Sequence, residues 1–434
     1  MQNPDSMHSF SYKDGSLHCE NVNLADIARV VGTPTFVYSR KDITDSLAAF
    51  RKEFAPLDAH VAYAVKACSS KAILQLLARQ GAGFDIVSGG ELWRVVNAGG
   101  DPALCTYAGV GKTEAEIRYA LEQGVYCFNC ESEEELRAID RIAGSMGVKA
   151  PVAVRVNPNV DAHTHKYITT GTNENKFGVD ITRIEQLYGT MAAAMPNLQP
   201  RGIQMHIGSQ LTEVQPYLMA IEKVAPIARR LKERHGIEFW SIGGGVGIVY
   251  RGCLESGSAE WWERHPEQMT IRGFAAAVIP LLQPLGLRII VEPGRRMVGN
   301  AAVMLTTCLY EKRGHTKLFK IIDAGMNDII RPALYEGHHE IWPVRQHHND
   351  TVRADVVGPV CESGDFQAQD RDIPDVKAGE LLAEMSAGAY GFSMASTYNS
   401  RPLAAEVLVD GDRWQIIRRR QTLEEMVQGE TGLE

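Results

Sequence analysis

Lys66, Glu292 and the glycine run Gly243, Gly244 and Gly245 are the residues of this 434-residue chain whose types and placement could do chemistry together. Lys66 closes the apolar run HVAYAVKA. An amine there is partly desolvated and its pKa can fall, as in lysines that form Schiff bases. The plainer reading is a strand-end lysine paired with Asp85 or Glu91, and the local pattern alone leaves both open. The stretches GGGVG and EPGRR, the latter containing Pro293, Gly294 and Arg295, follow the last two of a series of apolar runs. Glycines at such places let backbone N–H groups approach a phosphate, and helix N-termini add positive potential. A phosphate cradle facing a strand-end lysine favours pyridoxal phosphate, which needs both. Glu292 then acquires a use. A carboxylate against the pyridine nitrogen keeps it protonated, so the ring can accept the electrons left when a bond to a substrate α-carbon breaks.

These residues share one kind of position. From about residue 60 a short apolar run, a polar or glycine-rich tip and a helix-patterned segment recur. The runs are HVAYAVKA, GFDIVSGG, LCTYAG, VYCFNCES, PVAVRVNP, GIQMHIGS, FWSIGGG and RIIVEPGR. Between them KAILQLLARQ, EAEIRYALEQ and EEELRAIDRIAGSM carry apolar residues at three- and four-residue spacing, as one-faced helices do. Near-continuously apolar strands separated by helices imply a parallel sheet covered on both faces, and eight units are the count that closes a (β/α)8 barrel. Lys66, Asp85, Arg155, His206, Ser209, Gly243 to Gly245 and Glu292 to Arg295 fall at or just beyond C-terminal strand ends, where such barrels carry their active sites.

The expected organisation is an α/β chain with the barrel over residues 36–296 and a β-rich domain, sandwich- or barrel-like, formed from residues 1–35 and 297–434. VMLTTCLY, FKIIDAG, TVRADVVG and AEVLVDGDRWQIIRR read as strands of that domain, the last as a hairpin, and TLEEMVQ as a short helix. SYKDGSLHCENV and TPTFVYS read as short strands before the barrel, while HPEQMT and EGHHEIWPVRQHHND look least regular.

Other chemistries are poorly supported. TYAGVGKT ends like a P-loop, but Thr106 stands where its first glycine must be. GGGVGIVY fails G-x-G-x-x-G at Ile248. Cys127 and Cys130 form a C-x-x-C with no second pair for zinc, and His163/His165, His338/His339 and His347/His348 lack H-E-x-x-H spacing, so no metal is expected. The eight cysteines are scattered and read as reduced thiols. With 45 Lys plus Arg against 53 Asp plus Glu, a net charge of -8 and 44% hydrophobic residues, disorder is excluded and nucleic-acid binding disfavoured. No leader-like N-terminus or long apolar run is present, so a soluble cytoplasmic protein without membrane partners is expected.

The segments YAVKA, FDIVSGGE, NKFG, HIGSQ, GGGVGI, EPGR, DAGMNDIIRPALY, CESGD and GAYGFSMASTYN closely resemble the diaminopimelate decarboxylase family along nearly the whole chain. The resemblance implies a fold-type III pyridoxal-phosphate enzyme, an alanine-racemase-like barrel and a head-to-tail homodimer with shared active sites. It implies Lys66 as the covalent anchor of the cofactor, His206 stacked on its ring, Glu292 at the pyridine nitrogen, and Ser209, Gly245, Gly294, Arg295 and Tyr390 at the phosphate. It implies substrate contacts by Arg295, Arg331, Tyr335, Glu362 and Tyr390, and a proton donor at Cys361 supplied across the subunit boundary. On base rates Cys361 alone would be a core thiol. The family's reaction is decarboxylation of meso-diaminopimelate to L-lysine and carbon dioxide. The rivals are a sister decarboxylase acting on ornithine, arginine, carboxynorspermidine or a carrier-bound glutamate, and a non-enzymatic pyridoxal-phosphate carrier built on a lone barrel. Glu362 and Arg331 count against the first, since a substrate lacking a second amino-acid head leaves them poorly paired. The residues after the barrel count against the second.

Overall fold

A computed structural model of the chain describes residues 8–160, 176–346 and 350–433. The chain falls into two compact units, one of residues 46–247 and 265–296, the other of residues 1–45, 248–264 and 297–434.

The first unit is a closed barrel of eight parallel strands: β1 Ala59–Ala64, β2 Gly83–Ile86, β3 Cys105–Tyr107, β4 Cys127–Cys130, β5 Ala150–Asn157, β6 Leu198–Met205, β7 Phe239–Ser241 and β8 Arg288–Val291. Each strand pairs with the next and β8 pairs with β1, so all eight apolar runs of the sequence are barrel strands. The three helix-patterned segments are the helices Lys71–Arg79, Glu114–Gln123 and Glu133–Met146. Their ends follow local chemistry. Thr113 forms a capping box with Glu116, Ser132 accepts from the Glu135 N–H, and Gly124 and Gly147 end their helices in the left-handed conformation.

Strand alternation divides the barrel interior into layers. Ala62, Cys127, Ala153, Phe239 and Ile290 form an apolar floor. Two residues further along the same strands, hence on the same face and nearer their C-terminal ends, stand Ala64, Asn129, Arg155, Ser241 and Glu292. The polar layer therefore rests on an apolar one, which keeps water from below.

The second unit centres on a mainly antiparallel sheet ordered Phe366–Pro374, Thr351–Val357, Leu318–Ile322, Ala302–Arg313, Thr35–Ser39, Ala405–Asp410 and Arg413–Arg418. The long strand Ala302–Arg313 also pairs with Leu381–Glu384, which pairs in turn with Ile341–Pro343. Phe10–Lys13, Ser16–Cys19 and Val22–Asn23 form a small separate sheet. The expected boundary after residue 35 cuts the strand Thr35–Ser39, whose hydrogen-bond partners are Ala302–Leu305 and Ala405–Val409. That strand is assigned by partners far away in sequence, and residues 248–264 likewise count with the second unit. Ile341–Pro343 also places a strand inside the stretch expected to be irregular. Among the described residues no helix is long and apolar enough to cross a membrane.

Candidate active site

Lys66, His206, Ser209, Gly243 to Gly245 and Glu292 to Arg295 all belong to the barrel unit, and each lies at or just after a strand's C-terminal end. Lys66 sits in the short 3-10 turn Val65–Ala67 directly after β1. Its ammonium is 3.7 Å from the Asp85 carboxylate at the end of β2, and its side chain remains 39% exposed while that of Asp85 is 2% exposed. The pairing with Asp85 thus exists, yet Lys66 keeps a surface open to a reactant. Burial holds the Asp85 carboxyl above its ordinary pKa, against the pull of Lys66 and Arg155.

Glu292 follows β8 and is buried. Ser241 Oγ on β7 donates to its Oε1 at 2.6 Å and Gln204 Nε2 on β6 donates to its Oε2 at 3.1 Å. Both donors are neutral. Burial first, then repulsion from Asp85, pushes its pKa up to about 8. A buried carboxylate so held gains from a cationic N–H brought against it, as a protonated pyridine supplies.

The glycine run makes close packing of the strand tips possible. A Cβ on Gly244 would lie 2.0 Å from the Glu292 carbonyl oxygen, and Gly243 takes a φ of +75° that side chains resist. The Gly243 carbonyl accepts from the Glu292 N–H at 2.8 Å, and the Pro293 carbonyl accepts from the Ala64 N–H at 3.1 Å. The Gly244 N–H points to His206 Nδ1 at 3.3 Å. Burial, then the charges of Lys66 and Arg155, holds His206 well below its ordinary pKa, so its ring is neutral and flat-faced for stacking. Arg295 Nη2 donates to Ser209 Oγ at 3.1 Å, which brings a guanidinium and a hydroxyl together as a phosphate requires. Arg155 is held by a buried pair with Glu131 at 2.9 Å. The cradle glycines, Ser209, Arg295, the buried Glu292 and the accessible Lys66 fit pyridoxal phosphate.

Arg331, Tyr335, Cys361, Glu362 and Tyr390 belong to the second unit. Arg331 opens the helix Arg331–Tyr335, lies over the Tyr250 ring at 4.5 Å, and donates from Nη1 to His339 Nε2 at 2.6 Å. His339 Nδ1 in turn donates to the Met385 carbonyl at 2.8 Å, so His339 serves as a strut and not as a metal ligand. Tyr335 and Tyr390 are half-buried, and Tyr390 has a φ of +58°. All eight cysteines are thiols outside any disulfide; seven are buried and Cys361 alone is exposed, so the base-rate expectation of a core thiol fails there. The Cys361 N–H donates to Asn399 Oδ1 at 2.8 Å, and Asp365 accepts from the Val360 and Met326 N–H groups at 2.6 Å each. Glu362 is exposed beside Cys361.

Lys112 of the P-loop-like segment is consumed internally by the Gly109 and Asn129 carbonyls and by Glu135. His163, His165, His347 and His348 lie outside the described residues. Among the described residues no group of three or more His, Cys, Asp or Glu side chains is placed to hold a metal ion. The sequence reading missed Gln204, Ser241, Asp365 and Asn399, and weighed His339 only as a metal ligand. For Gln204 and Ser241 a signal existed: polar residues inside apolar strands.

A (β/α)8 barrel with a strand-end lysine, a buried strand-end carboxylate and a glycine-lined cradle defines a pyridoxal-phosphate enzyme of the barrel class. Residues 40–299 match the family described as pyridoxal-dependent decarboxylase, pyridoxal binding domain. The chain is 48% identical to a diaminopimelate decarboxylase of Pseudomonas aeruginosa, over 98% of this chain and 100% of that one. A diaminopimelate decarboxylase of M. jannaschii solved in complex with L-lysine superposes with a TM-score of 0.89 at 33% identity, covering 98% of both chains. The Helicobacter pylori enzyme, also solved with L-lysine, gives 0.86 at 38% identity, covering 94% of this chain and 98% of that one. The chain belongs to the diaminopimelate decarboxylases, which are carboxy-lyases.

Proposed function

We propose that this chain removes the carboxylate at the D centre of meso-2,6-diaminopimelate and releases L-lysine and carbon dioxide, the last step of a lysine biosynthetic route. The observation that carries the reading is the buried Glu292, held by Ser241 and Gln204 on the same barrel rim as Lys66. Bound pyridoxal phosphate supplies the electron sink for the pair left on the α-carbon when carbon dioxide departs. Lys66 would hold it covalently and Glu292 would face its ring nitrogen. Ser209, Gly243, Gly244, Gly245, Pro293, Gly294, Arg295 and Tyr390 would line its phosphate side, with the neutral His206 on the ring face.

Asp85, next to Lys66, would pair with the lysine ammonium once the substrate amine has taken its place. Arg295 and Arg331 clasp carboxylates, Tyr335 and Tyr390 close on the bound amino acid, and Glu362 receives the distal ammonium. The Cys361 thiol gives its proton to the α-carbon and is reprotonated from water. In this reading the active enzyme is a cytoplasmic homodimer, and Cys361 serves the site of the partner subunit.

The test is carbon dioxide release by the holoenzyme from meso-diaminopimelate, ornithine, arginine and carboxynorspermidine. Release from the first, with at least about a hundredfold lower kcat/KM on the others, is the expected result. A visible cofactor band without release from meso-diaminopimelate overturns it.

A further inference from the structure

Glu384 ends the strand Leu381–Glu384, where its backbone pairs with Met304 on one side and Ile341 on the other. It is fully buried in the sheet. Neither of its carboxylate oxygens accepts a hydrogen bond among the described residues. Glu292, also buried, has a donor on each oxygen. Leaving a buried carboxylate without donors is costly, so a cation or a proton must compensate it.

The surrounding groups offer both. Three charged groups act on Glu384: Arg371 on the strand Phe366–Pro374, Arg331 on its short helix, and Asp328 in the turn before that helix. The two arginines are tied to the same strut. Arg371 Nη1 donates to the His339 carbonyl at 2.7 Å, Arg331 Nη1 donates to His339 Nε2 at 2.6 Å, and His339 Nδ1 donates to the carbonyl of Met385, the residue after Glu384. His338 lies 3.4 Å from Arg371 Nη2, and burial lowers its pKa to about 4, so it brings no charge near neutrality. The group is thus two fixed cations, one donor-less carboxylate and the more distant Asp328.

We propose that Glu384 is a positioning residue that sets the charge available at Arg331, so that binding of the substrate carboxylate is coupled to proton uptake by Glu384. The inference rests on the reading of Arg331 as a substrate contact. When Glu384 is ionised it competes with the substrate for the positive potential of Arg331. When it is protonated the cluster carries one more positive charge and the substrate carboxylate meets it unopposed. Burial pushes the pKa of Glu384 up to about 8, against the pull of Arg371 and Arg331, which places the change within reach of ordinary assay buffers. Above that pH each substrate bound takes up as much as one proton, so KM rises by up to about tenfold per pH unit, while kcat does not share the change.

The experiment is the pH profile of KM and kcat for meso-diaminopimelate between pH 6.5 and about 9.5, using the holoenzyme and its Glu384→Gln and Glu384→Asp forms. Substrate titration is common to all three and cancels in the ratio of their KM values. The inference expects KM of the unaltered enzyme to rise relative to Glu384→Gln above pH 8, with Glu384→Asp keeping a rise and kcat profiles superposing. If Glu384→Gln does not fold, Arg371→Gln replaces it: loss of one neighbouring cation should move the break in KM to higher pH. Superposable KM profiles, or an unmoved break in Arg371→Gln, overturn the inference while carbon dioxide release leaves the functional reading standing. No carbon dioxide release by the unaltered enzyme overturns both.

Discussion

The barrel unit and the second unit both present charged and nucleophilic side chains, but they hold them by different means. In the barrel, Asp85, Gln204 and Ser241 lie within parallel strands, and Lys66 and Glu292 follow strand ends by no more than two residues. Their positions are fixed by strand register, in which each backbone is clamped by two neighbours. In the second unit, Cys361 lies outside any strand, Arg331 opens a five-residue helix, and Tyr390 occupies a left-handed backbone conformation. There the backbone is set by side chains: Asn399 and Asp365 accept from it, and His339 braces Arg331. A change in the barrel should therefore remove chemistry and leave geometry, whereas a change beside the second cluster should alter geometry and leave chemistry impaired in proportion.

The largest effect expected tests the first half of that contrast. Lys66→Ala should abolish the visible absorbance of the bound cofactor and lower kcat by at least about 10^4-fold, the scale seen when a covalent group is removed. Its melting temperature should stay close to that of the apo form of the unaltered protein, because Lys66 is partly exposed and burial already holds its partner Asp85 above the ordinary carboxyl pKa. A large loss of stability in the apo comparison would mean that the Lys66–Asp85 pair is structural and that the barrel cluster is not geometrically independent of its chemistry.

Much of the barrel was legible because its signal is local. A parallel strand buried on both faces writes a short apolar run, and the residue at its end is read off directly, which is how Lys66, His206 and Glu292 were found. Gln204 and Ser241 were passed over because their purpose lies on Glu292, two strands and one strand away in space and 88 and 51 residues away in sequence. In the second unit the pairing partners are remote and the strands mixed. Phe366–Pro374 is largely polar, Ile341–Pro343 has three residues, and Thr35–Ser39 gains its place from residues near 300 and 405. Arg331, Tyr335, Cys361, Glu362 and Tyr390 were reached only through resemblance, since no period or spacing marks a loop residue as functional. Cys361 shows the gap plainly: composition makes it one of eight ordinary thiols, and only its surroundings make it the exposed one.

The second unit's chemistry is tested next. Cys361→Ala should keep the cofactor band intact and lower kcat by about 10^3-fold, as loss of a positioned proton donor does. A solvent-derived proton then reaches the α-carbon less selectively, so in deuterated water the stereospecificity of deuterium placement at the resulting ε-carbon of lysine is a second readout. Unchanged turnover would assign the donor elsewhere and reduce the exposed cysteine to a surface feature.

The smallest effect separates geometry from chemistry most directly. Asn399 Oδ1 accepts the Cys361 N–H, and Asn399 itself has a φ of +56°, a conformation that asparagine tolerates better than alanine. Asn399→Ala therefore loses one hydrogen bond to a backbone group and adds strain, so the Cys361 backbone is released but its thiol remains. A net hydrogen bond of about 1 kcal/mol corresponds to roughly fivefold, and kcat should fall by about that much, up to tenfold. The cofactor band should be unchanged and KM nearly so. Asn399→Gly, which relieves the strain without restoring the acceptor, should recover only part of the loss. Were Asn399→Ala as damaging as Cys361→Ala, the loop would have no residual order of its own and the two units would differ more sharply than their hydrogen bonds imply. Were it silent, the position of Cys361 would be fixed by something other than this hydrogen bond.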